Sequence, residues 1–226
     1  MIIFLLTAVP LFYFIMNSLW KNIKAIVEDS YKPFVYGLIC FAVSVLIYNL
    51  IRVLAISPTY TRSGIYLYYL LHDHLIQFVL AVGSYFLVYG FSDMNSSGNG
   101  MERMFAFFCG FFCLWGVNDS IINYGWYNSY VLVVIPLIRI AMIAAATVLL
   151  SDAISSEGGK RWIMFLCTLA VPFALSVVPL FWRLSFNIAV IVLVPLMTGV
   201  SLFFFLKAAL PREPKAAVPL TPEAQQ

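Results

Sequence analysis

Long apolar runs separated by short polar stretches are the feature that most constrains the fold of this chain. A helix needs about 20 apolar residues to cross the hydrocarbon core of a bilayer. Backbone polar groups inside lipid must be bonded within their own segment, which favours helices. The sequence therefore predicts an all-α integral membrane protein, a bundle of about seven transmembrane helices. The predicted spans lie near residues 2–20, 33–56, 64–91, 103–123, 129–151, 162–181 and 184–207.

The overall composition agrees with this class and limits the domain organisation. Of 226 residues, 63% are hydrophobic and 10% are charged, whereas soluble proteins carry roughly 25% charge. We expect one transmembrane domain over residues 1–210, with the lipid bilayer as its main partner and no nucleic-acid partner. The last stretch, 211–226, is rich in proline and polar residues, so it predicts a disordered cytoplasmic tail.

The distribution of basic residues predicts the orientation. The first, third and fifth loops and the tail hold nine Lys or Arg residues, whereas the opposite loops hold only Arg62 and Arg183. Cytoplasmic loops carry an excess of Lys and Arg. We therefore expect the N-terminus outside and the C-terminus in the cytoplasm, in a cell membrane (plasma or inner). The nine residues are Lys21, Lys24, Lys32, Arg103, Lys160, Arg161, Lys207, Arg212 and Lys215.

One polar group interrupts the third predicted span. In "YLYYLLHDHLIQFVLAVGSYF", residues 66–86, an acid stands between the only two histidines of the chain. At 100° per residue, Asp73 shares a helix face with Gln77 and has His74 on its flank, while His72 points away. We therefore expect Asp73, His74 and Gln77 to form part of a site. His72 is expected to make a contact with a second helix or an interfacial hydrogen bond.

Depth in the membrane suggests a partner for the acid. Counted at 1.5 Å per residue, Asp73 lies roughly 13 Å and Arg139 roughly 15 Å from the outer boundary. A charge at the bilayer centre costs about 3 kcal/mol on insertion scales, so we expect Asp73 to face a cation, either Arg139 or Arg52. Further polar residues of the outer half are candidates for the same ligand-binding or proton-binding site. They are Asn49, Asp119 and Asn187.

The residues do not suggest a metal or a cofactor. A zinc site draws three or four converging side chains, and adjacent histidines on a helix diverge. The cysteines fall in apolar helical stretches and are typical of buried thiols. No metal and no cofactor are therefore expected.

Three classes of function remain open. The leading hypothesis is a multi-pass protein with an outward-opening polar cavity that binds or transports a small solute or ion, with possible proton linkage. The alternative is a non-catalytic membrane subunit or sensor, whose Asp/Arg pairs are structural and whose Phe-rich surfaces, such as "MFAFFCGFFCLW", meet a membrane protein partner or a second copy. An intramembrane hydrolase using Asp73 and His74 as acid and base is the third, although no Ser/His/Asp signature supports it.

The orientation can be tested with a reporter fused to the C-terminus that is active only after export. Because basic residues favour the cytoplasmic side, the fusion should stay silent. A fusion at Arg62, in a loop predicted to lie outside, should be active and serves as the control. Activity of the C-terminal fusion would overturn the predicted topology.

Overall fold

The described part of this chain is almost entirely helical. The computed structural model describes residues 2–23, 31–55, 61–90, 100–115, 118 and 130–210, and within those ranges it contains no β-strand. The predicted all-helical bundle is therefore confirmed. The tail from 211 to 226, predicted to be disordered, lies outside the described residues.

The helices follow one another along the chain, and two segments contain a wider, π-helical turn. One π-helical turn, at Leu70–Leu75, joins two α-helices of the third segment, and a second, at Tyr130–Val134, leads into the α-helix that ends at Ser155. The α-helices are α1 (Ile2–Ile23), α2 (Tyr31–Ala55), α3 (Arg62–Tyr69), α4 (Ile76–Tyr89), α5 (Gly100–Phe112), α6 (Ile135–Ser155), α7 (Gly158–Leu175), α8 (Val177–Arg183) and α9 (Asn187–Ala209).

Five helical segments among the described residues are long and apolar enough to cross a membrane. Helices also occupy the first and fourth predicted spans, as α1 and α5, but these two are not among the five. At 1.5 Å per residue, α5 is about 20 Å long, shorter than a hydrocarbon core of about 30 Å. The five are Tyr31–Ile51, Arg62–Tyr89, Leu132–Ser155, Gly158–Arg183 and Asn187–Ala209.

The centre of the bundle is formed by α5 and α6. Every residue from Met104 to Phe112 is buried, and the ring of Phe105 packs 4.9 Å from that of Phe205 and 5.1 Å from that of Phe12. The expectation that the phenylalanines of this stretch lie on a surface is wrong. Their rings contact aromatic side chains of α1, α4 and α9, so they hold the bundle together instead.

Close backbone contact joins α2 to α5. A Cβ atom added to Gly110 would lie 2.0 Å from the carbonyl oxygen of Phe34, and one added to Gly37 would lie 2.1 Å from that of Phe107. Small residues allow membrane helices to approach in this way. Further along α2, the ring of Tyr48 packs 5.0 Å from that of Trp115.

The sixth helical segment breaks where α7 meets α8. Ser176 marks the break, and its hydroxyl donates to the carbonyl of Pro172 over 2.6 Å. One turn earlier, the hydroxyl of Tyr66 donates to the carbonyl of Phe173 over 2.9 Å. This bond ties α7 to α3, next to the π-helical turn that carries the histidines.

The glycine contact predicts a strong position dependence of Gly-to-Ala substitution. Gly110→Ala places a methyl group against backbone atoms that cannot move aside, so the free energy of unfolding should fall by about 1–3 kcal/mol, or more. At Gly199 in α9 an added Cβ meets nothing within 4 Å, so Gly199→Ala should be neutral or stabilising by up to about 1 kcal/mol. Thermal unfolding in detergent compares the two variants, and equal effects would contradict the close contact.

Candidate functional site

The π-helical turn at Leu70–Leu75 changes the backbone hydrogen bonds around the histidines. At its end the N–H of Ile76 bonds to the carbonyl of Leu71, five residues back. Single π-helical turns of this kind are rare in proteins, and those that occur often lie at functional sites. Here the carbonyl of His72 accepts side-chain donors, namely the hydroxyl of Tyr48 at 2.9 Å and the Nε2 amide of Gln77 at 3.3 Å.

His72 and Asp73 touch each other inside the bundle. The Nδ1 atom of His72 lies 2.5 Å from Oδ1 of Asp73, and the histidine side chain is 1% exposed. The helical wheel placed these two side chains apart, but the ring reaches back to its neighbour. His72 also makes the expected contact with a second helix, since its ring lies against Tyr48 of α2 and stacks on Tyr68 with a centroid distance of 5.0 Å.

Asp73, His74 and Arg139 line one small, partly open void. Its volume is about 10 Å³, which is about the space that one water molecule needs. The π-helical turn at Tyr130–Val134 reaches the same void, so both widened turns of the described chain meet there. Its lining residues are Asp73, His74, Tyr130, Ile135, Ile138 and Arg139.

The ionisable side chains of this void are almost fully buried. The exposed fraction of the whole residue is 9% for Asp73 and 3% each for His74 and Arg139, and that of the Asp73 side chain alone is 12%. The guanidinium carbon of Arg139 lies 5.5 Å from the ring centroid of Phe112, within the range of a cation–π contact. A carboxylate and a guanidinium that are buried around one void attract each other more strongly than they would in water.

The hydrogen bond of His74 indicates its tautomer. Its Nδ1 atom lies 3.3 Å from the carbonyl oxygen of Tyr69. Because a carbonyl can only accept, Nδ1 must carry the hydrogen in this contact. The neutral ring therefore has Nε2 as its acceptor.

The other predicted site residues lie in different places. Gln77 is fully buried and bonds to the turn, although it does not line the void. Asn49 is half-buried on α2, and Asn187 is exposed at the start of α9, where it lines a separate hollow with Phe181 and Ser185. The side chain of Arg52 and the whole of Asp119 lie outside the described residues.

Sequence reasoning missed Tyr48, which has the most polar contacts with His72. Its side chain is fully buried, and a buried tyrosine usually finds a partner for its hydroxyl. The signal was present in "SVLIYNLIR", where a lone tyrosine stands within an apolar helix. Its partner could not be named because the contact depends on how α2 packs.

Comparison with known proteins leaves the chemistry to be inferred from the cluster itself. No family model, curated protein or solved structure matches this chain. Within the part of the chain that the structure describes, no three His, Cys, Asp or Glu side chains are grouped so that they could hold a metal ion. The buried ionisable groups around the void are thus the best candidate site.

The shared void predicts energetic coupling between Asp73 and Arg139. Asp73→Asn removes the carboxylate that shares the void with the Arg139 guanidinium, and Arg139→Gln removes that cation, so each should reduce the free energy of unfolding by about 3–5 kcal/mol. The double variant should recover part of that loss, giving a coupling energy well above 0.5 kcal/mol, roughly the limit for independent sites. Thermal unfolding in detergent measures the four-variant cycle.

A second cycle provides the control for this experiment. Lys160 is exposed near the start of α7, and Lys160→Gln combined with Asp73→Asn should be additive. Additivity in both cycles would show that Asp73 and Arg139 do not interact, and would point to Arg52 as the partner.

Proposed function

We propose that this chain is a multi-pass membrane protein that binds and transports a small ion or solute with proton linkage. Asp73 is the acid that takes up the proton, Arg139 is its counter-cation, and His74 completes the lining of the site. The observation that carries the proposal is the void shared by these three buried side chains. Ionisable residues within membrane helices mark proton and ion pathways in many transporters.

Proton binding and ligand binding are linked through the charge of the site. With Asp73 ionised, the acid and the Arg139 guanidinium balance each other. Protonation of Asp73 removes the negative charge and leaves the positive one in a medium of low dielectric constant, where the effect on a bound ion is large. Proton uptake would therefore change which ligand charge the site accepts.

The void is small, so transport of a solute larger than water requires a conformational change. About 10 Å³ holds one water molecule, so a larger solute needs the surrounding helices to separate. The two π-helical turns at Leu70–Leu75 and Tyr130–Val134 border the void, and π-helical turns perturb the regular hydrogen-bond ladder. We infer that opening toward the outer surface occurs at these turns.

The proposed topology has seven spans, an outer N-terminus and a cytoplasmic C-terminus in the plasma or inner membrane. The excess of Lys and Arg in alternate loops supports it. One contact agrees with this topology. Trp20 Nε1, near the C-terminal end of α1, donates to the carbonyl of Ala209 at the C-terminal end of α9 over 3.3 Å. Two parallel end helices agree with an odd number of crossings.

A structural role for the same residues is the second candidate. The small void and the contact between His72 and Asp73 favour it, since buried ion pairs can fix how helices pack without binding anything. The chain would then be a non-catalytic subunit or sensor, with a membrane protein partner or a second copy of itself. Hydrolysis has less support, because no serine or cysteine is among the described residues that line the void.

Proton flux into vesicles distinguishes these candidates. Protein reconstituted into liposomes with a trapped pH-sensitive dye should increase proton entry under an imposed membrane potential, relative to protein-free liposomes. Asp73→Asn should reduce the flux to the protein-free level, because an amide cannot take up the proton. Asp152→Asn, at an exposed carboxylate of α6, should leave it unchanged.

Two results would contradict the transport proposal. Full flux in Asp73→Asn would exclude this acid as the proton carrier. Wild-type flux equal to that of protein-free liposomes, in protein that remains folded, would favour the structural role.

A further inference from the structure

We propose that the hollow between the end of α8 and the start of α9 binds a membrane phospholipid, with an acyl chain against its apolar wall and the phosphate at its polar side. The hollow has a volume of about 560 Å³, within the range of about 300–1,000 Å³ that is common for small-molecule sites. It shares no residue with the void at Asp73 and Arg139, so the inference goes beyond the proposed transport function. The described residues that line it are Phe181, Ser185, Phe186, Asn187, Ile188 and Ala189.

The hollow lies where two membrane-spanning segments meet. Residues Gly158–Arg183 and Asn187–Ala209 are both long and apolar enough to cross a bilayer, and only residues 184–186 join them. So short a connection places the hollow at one boundary of the hydrocarbon core, where acyl chains meet headgroups. A ligand that is apolar at one end and polar at the other is abundant at that depth.

A helix-ending motif shapes the hollow. The N–H of Phe186 bonds to the carbonyl of Phe181 over 2.9 Å, and the N–H of Ser185 bonds to that of Trp182 over 3.0 Å. These are the two bonds of a Schellman motif, which is frequently accompanied by an apolar contact between its two ends. The rings of Phe181 and Phe186 make that contact edge to face, with their centroids 5.9 Å apart. The motif thus positions both aromatic side chains of the hollow.

Ser185 occupies the position of this motif that usually holds glycine. Its φ is 63°, in the left-handed region, where a side chain is strained and glycine is not. The chain therefore carries a hydroxyl at this position although glycine would relieve the strain. Strained residues concentrate at ligand sites, and this one lines the hollow, so its hydroxyl is a candidate ligand contact.

The apolar wall of the hollow continues onto the lipid-facing surface of α9. Phe186 and Ile188, which line the hollow, are 56% and 81% exposed, and Ile191 further along α9 is 71% exposed. In a bilayer such side chains face acyl chains. Side chains around an empty hollow lose dispersion contacts on that side, and an acyl chain that already lies next to the hollow can supply them.

The polar groups near the hollow suit a phosphate. Ser185 and Asn187 line it and are exposed, and a hydroxyl and a side-chain amide can each donate a hydrogen bond to a phosphate oxygen. Arg183 is exposed and ends α8, two residues before Ser185, so its backbone lies within about 8 Å of that serine. Arginine matches phosphate in charge and in shape. A lipid with a phosphodiester is therefore favoured over a neutral lipid.

Native mass spectrometry of the full chain in detergent tests the inference. Titration with dioleoyl phosphatidylglycerol should give a saturable adduct. Dioleoylglycerol has the same acyl chains but no phosphate, so it should bind about tenfold more weakly or worse, as expected when hydrogen bonds to a charged group are lost. Arg183→Gln should remove most of the difference between the two lipids.

A substitution that fills the hollow should displace the lipid. Ala189→Phe places a ring in the hollow and should reduce the phospholipid affinity about tenfold or more. Ala170→Phe is the matched control, since Ala170 is exposed on α7 and does not line the hollow. This control should bind phospholipid as the wild type does.

Two substitutions of Ser185 separate the role of its hydroxyl from that of its backbone. Ser185→Gly and Ser185→Ala both remove the hydroxyl, so both should lower the phospholipid affinity, by about two- to tenfold. Only glycine relieves the strain at this φ, so Ser185→Gly alone should raise the melting temperature of lipid-free protein in detergent, by about 2–4 °C. We thus expect Ser185→Gly to be more stable than the wild type and to bind phospholipid less well.

Three results would overturn the inference. They are equal phospholipid affinity in Ala189→Phe and the wild type, equal affinity of the wild type for the two lipids, and a dimer of the chain in place of the lipid adduct. If Ala189→Phe fails to fold, Ser185→Gly still decides, because unchanged affinity in that stable variant would contradict the phosphate contact. Proton flux is measured on its own in liposomes, so failure of the lipid site leaves the transport proposal standing.

Discussion

The burial of charge in an apolar bundle is the constraint on which the rest of this structure depends. Asp73 and Arg139 are each at least nine-tenths buried, and neither charge is cheap to hold alone in lipid or in a protein interior. The helices that carry them must therefore be placed so that both side chains reach the same void. The π-helical turns on both sides of that void are part of this placement.

Apolar packing makes this placement possible. The buried stretch from Met104 to Phe112 contacts helices from both ends of the chain, and the paired glycines Gly37 and Gly110 bring α2 against α5 with backbone touching backbone. Without a hydrophobic driving force between helices in lipid, association depends on such close van der Waals contact. Further along α2, Tyr48 contacts the widened turn at His72.

The polar cluster is connected in a way that suits a mobile proton. Tyr48, His72 and Asp73 form a continuous chain of contacts that leads to the void shared with His74 and Arg139. The Tyr48 hydroxyl donates to the carbonyl of His72, and the His72 ring contacts the carboxylate of Asp73. A purely structural ion pair needs fewer exchangeable groups than this cluster has, which is why proton linkage is the proposal we favour.

The sequence by itself determined the helical class, because long apolar runs can satisfy their backbone only as helices. It also identified Asp73, His74, Gln77 and Arg139 as unusual, since ionisable and polar groups inside such runs need partners. The tertiary structure decided which of them meet: Asp73, His74 and Arg139 share a void, whereas Asn187 lies elsewhere. A helical wheel could not show the contact between His72 and Asp73, because a regular helix directs neighbouring side chains apart. In the structure both residues lie in a π-helical turn, and their side chains meet. Tyr48 was hidden for a different reason, since its contact with His72 depends on packing between residues that are far apart in the chain.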